Sequence, residues 1–498
     1  MNDANLETDV IVVGAGNAAA CAALSARENG AEVIMLEASP KELRGGNSTF
    51  TGGMLRFVYN GMEDLIPLLG ELTETERNDI EMDTYTEEQF FDDMGRLTQY
   101  RCDPDLTEVM IKNSYETAEW MRSKGVKLQL TLGQHAFKVD GKFKFWGGLA
   151  VQIWGGGKGL IEALHTRVEQ EGISVYYETP ALDLLHDDLG VSGVRARHEG
   201  RTIELRAKAV ILACGGFESN TEMRTRYLGP NWDLAKVRGT RFNTGAGIQM
   251  ALDLGARATG HWSGAHAVAW DVNAPPFGDL DVGDSFQKHN YPYCIYINAD
   301  GERFIDEGAN FHTYTYAKYG REVLAQPGHF AWQVFDQKVS HLLREDYRIR
   351  QITKAEADTF EELAAKLEGV DGARFLETVR EYNDAPRPDT PFDPNILDGL
   401  RTQGLAIDKT NWATKLDTPP YHAYCVTCGV TFTFGGLQIT TGAEVVDTIG
   451  KPIQGLYAAG ELVGGLYFHA YASGSGLTSG AVFGRIAGRN AARLARET

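Results

Sequence analysis

The sequence predicts an α/β fold: a parallel sheet flanked by helices, with a second α+β region inserted between its parts. Three observations predict it. First, the apolar run Asp9-Val-Ile-Val-Val turns at Gly14-Ala-Gly16 into a small-residue stretch and returns as Ala31-Glu-Val-Ile-Met-Leu-Glu37, a strand–helix–strand unit. Second, two later apolar runs, Ala207–Ala213 and Gly455–Ala459, have strand length and end in glycine. Third, from about residue 258 the composition changes to tryptophan, histidine and tyrosine, and the alternating strand–helix pattern stops.

Each part of the opening unit has a physical job. Gly14 makes the tight turn, and Gly16 lets the backbone approach a pyrophosphate at the N-terminus of the helix that Asn17 and Ala18 begin. Ala19 stands in for a third glycine and lets that helix pack close to the sheet. Glu37, followed by Ala38, ends the second strand, where a carboxylate accepts hydrogen bonds from an adenosine ribose. Strand, glycine motif, helix, strand and acid in this order mark a Rossmann-like dinucleotide site.

Composition bounds the rest. At 498 residues and 43% hydrophobic content, the chain can bury a large core and suits two soluble domains. It has no apolar run of about 18 residues, so no transmembrane segment is expected. A strand beginning at Asp9 leaves no room for a signal peptide, and a cytoplasmic location is expected. A net charge of −20 argues against nucleic acid as a partner. The six cysteines form no disulfide framework. Cys425-Val-Thr-Cys428 could be a redox dithiol, half a metal site or two packed thiols. With no second CxxC or histidine pair beside it, packed thiols are the reading adopted, and no metal site is expected. Cys21 and Cys214 are read as packing residues.

A nicotinamide enzyme would continue with further alternating units. This chain instead presents Arg44-Gly45-Gly46-Asn47-Ser48-Thr-Phe-Thr51-Gly52-Gly53, a glycine and hydroxyl cluster suited to wrapping a second part of the cofactor, a flavin edge. Ligands of open α/β sheets bind beyond the carboxyl ends of the strands. That rule selects Ala213, Gly215 and Asn220 after one strand, and Gly460 and Glu461 after another. The loop Gly474-Ser475-Gly476-Leu477 then leads into Ala481–Arg496, an amphipathic helix with arginines in its final turns.

Beyond about residue 258 the local signals differ from those of the sheet unit. Asp300-Gly301 signals a hairpin after Cys294–Asn298. Phe311-His312-Thr-Tyr314-Thr-Tyr316-Ala-Lys-Tyr319-Gly-Arg321 gathers titratable aromatics. Helical periodicity covers Phe360–Leu367, with Thr359 and Glu362 as a capping box, and Ala373–Val379. Arg387-Pro-Asp-Thr-Pro-Phe-Asp-Pro is a polar connector.

The segments GAGNAA, RGGNS, ILACGGFESN, RFNTGAGIQMA, NADGERFIDEG, TFGGLQI, GLYAAGE and YASGSGLTSGAVFGR together resemble the flavoprotein family of soluble fumarate reductases, 3-ketosteroid dehydrogenases and tricarballylate dehydrogenase. The RGGNS, FHTYTYAKYGR and GSGLTSGAVFGR segments are most similar to tricarballylate-dehydrogenase-like members. The resemblance implies a Rossmann-like FAD-binding domain over 1–257 and 416–498, with an inserted α+β cap or substrate domain over 258–415. The cleft between them would take the substrate. It also implies FAD contacts at Gly14, Gly16, Glu37, Asn47, Ser48, Gly53, Ala181, Gly245, Glu461, Ser475 and Leu477. Gly46 stands where covalently flavinylated members carry histidine, which implies noncovalent FAD.

Family chemistry moves a hydride at flavin N5 and a proton at the neighbouring carbon. The implied function is an FAD-dependent oxidoreductase that forms or reduces a C=C bond next to a carbonyl or carboxylate. The overall pattern suggests a small polycarboxylate. The carboxylate-binding positions of fumarate reductases, however, align with Phe432, with Phe311–His312 and with Tyr471–Ala472. Tyr471, just before the glycine loop, matches instead the tyrosine with which ketosteroid dehydrogenases hold a ketone, so a cyclic ketone or other enone is the alternative substrate. A third reading is a flavoprotein subunit that passes electrons to an iron–sulfur or quinone-linked partner protein. Tyr471 is the candidate carbonyl polariser, with His469, His312 or Tyr314 as proton-transfer groups. An extended backbone would place His469 and Tyr471 on one side. Arg56, Arg241 and Arg321 are possible carboxylate anchors.

Overall fold

The opening strand Leu6–Val13 sits inside an eight-stranded sheet, flanked in parallel by Arg201–Leu212 and Val33–Leu36. The register sets Val10 against both Ala209 and Val33. Pro452–Ala458 and Ser174–Tyr176 extend the parallel set on either side. Five parallel strands therefore end at one edge, and Gly14, Glu37, Ala213 and Gly460 follow four of them there. Four-residue all-buried runs such as Val33–Leu36 suit a sheet covered on both faces. Antiparallel Ala181–Asp187 and Gly190–His198 continue from Arg201–Leu212. This computed structural model describes residues 6–70, 72–132, 136–139, 141–145 and 148–497.

Helix Asn17–Glu28 is built from alanines and packs against the C-terminal helix Ser475–Glu497. Glycines set the spacing: a Cβ at Gly484 would lie 2.6 Å from Ala18 O, and one at Gly488 would lie 2.2 Å from Ala22 O. The two backbones touch because no side chain separates them.

The chain divides into two units: Met1–Pro230, Gly239–Ala265 and Phe432–Thr498 form one, and Asn231–Arg238 and His266–Thr431 the other. Two of the four divisions fall within the strands Ala258–Asp271 and Tyr421–Leu437, where composition carries no signal.

In the second unit, antiparallel strands line up on Tyr421–Leu437, which pairs with Ala331–Phe335 and Lys354–Ala357. Helices Phe360–Ala364 and Gly372–Asp384 pack with them around Phe375, Trp332 and Tyr421. Thr359 Oγ1 accepts from Glu362 N at 3.2 Å, the N-cap half of the expected box. The expected hairpin at Asp300-Gly301 is corrected. The turn forms, with Gly301 at φ +77° and Asn298 N bonded to Glu302 O, but Ile295–Ile297 pairs with Ala331–Phe335 instead. A Cβ at Gly301 would press on Asp371 O and Phe375 N, so the turn is shaped by the packed helix rather than by a ladder. Cys425 and Cys428 are buried in one strand; at odd separation they point to opposite faces.

Candidate functional site

The glycine turn is built as the sequence demands. Gly14 has φ +116°, and a Cβ there would lie 2.3 Å from Ala213 O of the neighbouring strand end. Gly16 opens helix Asn17–Glu28 with no side-chain cap and no acid in the first turn, which leaves a helix N-terminus suited to an anion. Asn17 ties three predicted segments together: its N–H donates to Ser48 Oγ at 3.1 Å and its Nδ2 donates to Leu477 O at 2.8 Å. Ala18 lies beneath Gly460, whose φ is +87°; a Cβ there would lie 2.9 Å from Ala18 Cβ.

Glu37 is buried at the next strand end, and its Oε1 accepts from Ser39 N at 2.7 Å. Burial pushes its carboxyl up, opposed by hydrogen bonds from Ser39, Ala15 and Ala38. A partly satisfied buried carboxyl suits a diol that donates two further bonds. Ala181 begins the strand Ala181–Asp187.

Gly45 (φ +101°) and Gly46 (φ +55°) open the short 3₁₀ turn Gly46–Phe50. A Cβ at Gly45 would lie 2.2 Å from Thr49 Oγ1. Arg44 Nη1 donates to Lys41 O, while its buried Nε has no partner among the described residues. Thr51 Oγ1 accepts from Gly53 N at 3.2 Å, and Gly52 joins them. At Gly215 a Cβ would lie 2.3 Å from Asn243 Nδ2, and at Gly245 2.5 Å from Met223 Sδ. Asn220 serves locally: it caps Met223 N and donates to Thr244 O.

Glu461 Oε1 accepts from Thr433 N at 2.8 Å. Beside it lies Glu218, which the sequence reading missed although it follows the Gly215-Gly216 pair. Glu218 Oε1 accepts from Asn47 Nδ2 at 2.5 Å and from Asn243 Nδ2 at 2.6 Å. Burial raises both carboxyls, Glu218 to about 7 and Glu461 well above its ordinary value, with Glu218's charge a second cause at Glu461. The two carboxyls interact directly, so ionising one disfavours ionising the other. His165 was missed too; its buried Nε2 lies 2.9 Å from Ala15 O, behind the glycine turn.

Tyr471 Oη accepts from Gly476 N at 2.9 Å, and Ser475 Oγ donates to Ala472 O. Phe432 and Tyr467 lie at ring distances of 5.8 and 5.0 Å from Tyr471. The expectation of an extended His469–Tyr471 segment is corrected: His469 has φ +61° inside an isolated Phe468–Ala470 bridge, which breaks the alternation that would put both side chains on one side. His469 instead meets His261, whose Nδ1 accepts from His469 N at 3.1 Å with the rings 4.8 Å apart.

His312 and Tyr314 lie in the second unit, on helix His312–Leu324. His312 is buried, and its Nε2 accepts from Arg344 Nη2 at 2.7 Å. Arg56 is corrected as a carboxylate anchor. It is fully buried, and its Nε and Nη1 donate to Ser473 O (2.7 Å), Tyr85 Oη (2.6 Å) and Asp93 Oδ2 (2.9 Å). Arg321 pairs with Glu322, and Arg241 is exposed.

These residues fit FAD. The cradles at Gly14 and Gly460 would be filled by any Cβ, the uncapped helix would take the pyrophosphate, and Glu37 would take the ribose. No group of three or more metal-ligating side chains is found among the described residues, and no helix among them is long and apolar enough to cross a membrane.

Comparison with known proteins agrees with the resemblance read from the motifs. The model of the family described as "FAD binding domain" matches residues 9–478. The chain is 30% identical to a probable fumarate reductase of Shewanella frigidimarina (strain NCIMB 400), over 98% of this chain and 75% of that protein. It is 27% identical to a 3-oxosteroid 1-dehydrogenase of Mycobacterium tuberculosis, over 97% of both. The open conformation of a flavocytochrome c3 fumarate reductase superposes with a TM-score of 0.73 at 27% identity, covering 98% of this chain and 79% of that one.

Proposed function

The chain belongs to this FAD binding domain family, and we propose that within it the protein forms or reduces a C=C bond conjugated to a ketone-type carbonyl. It is an FAD-dependent oxidoreductase acting on CH–CH groups. Bound FAD supplies hydride transfer at N5. Gly46 supports noncovalent attachment, since glycine offers no atom for a flavin bond.

The observation that carries the substrate class is the Tyr471–Gly476 bond. Gly476 N lies at the start of helix Ser475–Glu497, and its hydrogen bond occupies a lone pair of the Tyr471 hydroxyl. In the proposed role the hydroxyl donates its own O–H to a substrate oxygen. A hydroxyl that accepts from a helix N-terminus donates more strongly, because the positive helix end favours charge developing on its oxygen. The neighbouring rings of Phe432 and Tyr467 favour a planar, apolar substrate over a dicarboxylate. The 3-oxosteroid relative supports the same class.

His469 is assigned the proton exchanged at the neighbouring carbon. Its backbone N–H fills His261 Nδ1, so neutral His261 carries its proton on Nε2. His312 suits the task less, since Arg344 already donates to its Nε2. A separate electron carrier, a small molecule or a partner protein, closes the cycle.

Turnover with a panel of cyclic enones, saturated ketones and polycarboxylates, using artificial electron donors and acceptors, tests this reading. The expected result is conversion of ketone-type substrates. Turnover confined to carboxylates overturns it.

A further inference from the structure

The two asparagines on Glu218 sit in seats that fit little else. A Cβ at Gly239 would lie 2.0 Å from Asn47 Oδ1, and one at Gly215 would lie 2.3 Å from Asn243 Nδ2. Asn47 is oriented at both ends, with Nδ2 on Glu218 and Oδ1 accepting from Thr240 N at 2.8 Å. An amide alone can flip, but one held between a carboxylate and a backbone N–H cannot. The turn that carries Asn47 also carries Ser48, whose Oγ receives Asn17 N at the start of the phosphate-facing helix. A path of hydrogen bonds thus runs from Glu218 through the Asn47–Ser48 segment to the glycine turn.

Glu461 completes the arrangement. It is tied to Thr433 N, and a Cβ at Gly216 would lie 2.2 Å from its Oε1, so it has no room to swing away. Two adjacent buried carboxyls cannot both be charged at modest cost; one proton shared between them leaves a single acceptor for the asparagines. Arg224 is the cation facing Glu218.

We propose that Glu218 is a positioning residue for FAD: with Glu461 beside it, its carboxylate fixes Asn47 and so sets the Gly46–Phe50 turn against the N-terminus of helix Asn17–Glu28. The proposal rests on FAD as cofactor and not on the substrate class.

A charge exchange tests it on the holoprotein. Asn47→Asp keeps the acceptor for Thr240 N but sets a carboxylate against Glu218. The FAD dissociation constant should rise by about tenfold or more, since apposed like charges are strongly unfavourable. Adding Glu218→Gln supplies an amide opposite the carboxylate introduced at position 47. It should bring FAD affinity and the flavin absorption spectrum back to within about threefold of the parent, the coupling expected of residues in contact. If Asn47→Asp does not accumulate as folded protein, recovery of yellow, folded protein in the double variant reads the same rescue. Parent-like affinity in Asn47→Asp overturns the proposal, and so does a double variant that holds FAD no better than Asn47→Asp.

Discussion

The hydroxyl of Tyr471 and the backbone N–H of Gly476 are joined by a 2.9 Å hydrogen bond across one turn of chain. The contact needs glycine, because a Cβ at position 476 would lie 2.5 Å from Tyr471 Oη. Tyr471→Phe removes the donor and leaves the ring in place. FAD binding and folding should be unchanged, while stopped-flow flavin reduction or reoxidation by substrate should slow by about 10²–10³, the usual loss for a preorganised donor. A parent rate in this variant contradicts the role given to Tyr471.

The sequence singled out Tyr471 and Gly476 separately, five residues apart around one glycine loop, but not the hydrogen bond between them. The strand–helix–strand unit around Gly14 and Glu37 was legible, because it follows from local order along the chain. What escaped was non-local. Arg56 looked like a free anchor because Asp93 and Ser473, 37 and 417 residues away, carry no mark of their shared site. Glu218 lay inside a recognised motif, yet its worth depends on Asn47 and Glu461 from distant segments. The Asp300-Gly301 turn was local and formed, while the strand's partner was non-local and differed.

The helix pair predicts a stability effect with a cofactor consequence. Gly488→Val would force a side chain against Ala22 O and Ala26 N, both backbone atoms that cannot rotate aside. Overpacking of this kind costs about 1–3 kcal/mol. Helix Asn17–Glu28, whose N-terminus faces the phosphates, should be displaced with it. Chemical denaturation should show a lower midpoint, and the variant should release FAD more readily than the parent. Unchanged stability and FAD retention would mean that the helices can separate freely.

Arg56→Met separates a structural role from a substrate role. The variant deprives buried Asp93 of one of two arginines, leaving Arg96 on Oδ1 at 2.7 Å. Breaking a buried pair costs about 3 kcal/mol or more. The expected outcome is a lower denaturation midpoint with KM for substrate essentially unchanged. A raised KM at parent stability would restore Arg56 as an anchor.

The Glu218–Glu461 pair predicts a pH dependence of stability whose sign can be worked out. Burial raises Glu218 from 4.5 to about 7 and Glu461 well above its ordinary value, so between the ordinary carboxylate range and about pH 7 the folded protein binds more protons than the unfolded chain. Stability therefore falls as pH climbs through that window, and Glu461 acts in the same direction. Arg224 tempers the effect by favouring the charged form of Glu218, and Asn47 and Asn243 act in the same direction through their hydrogen bonds. Glu218→Gln removes one of the two titrations and the repulsion that raises the other. Urea midpoints of parent and variant, each saturated with FAD, should converge near about pH 5 and diverge towards about pH 8, with the variant losing less. Parallel loss in both proteins would place the pH dependence outside this pair.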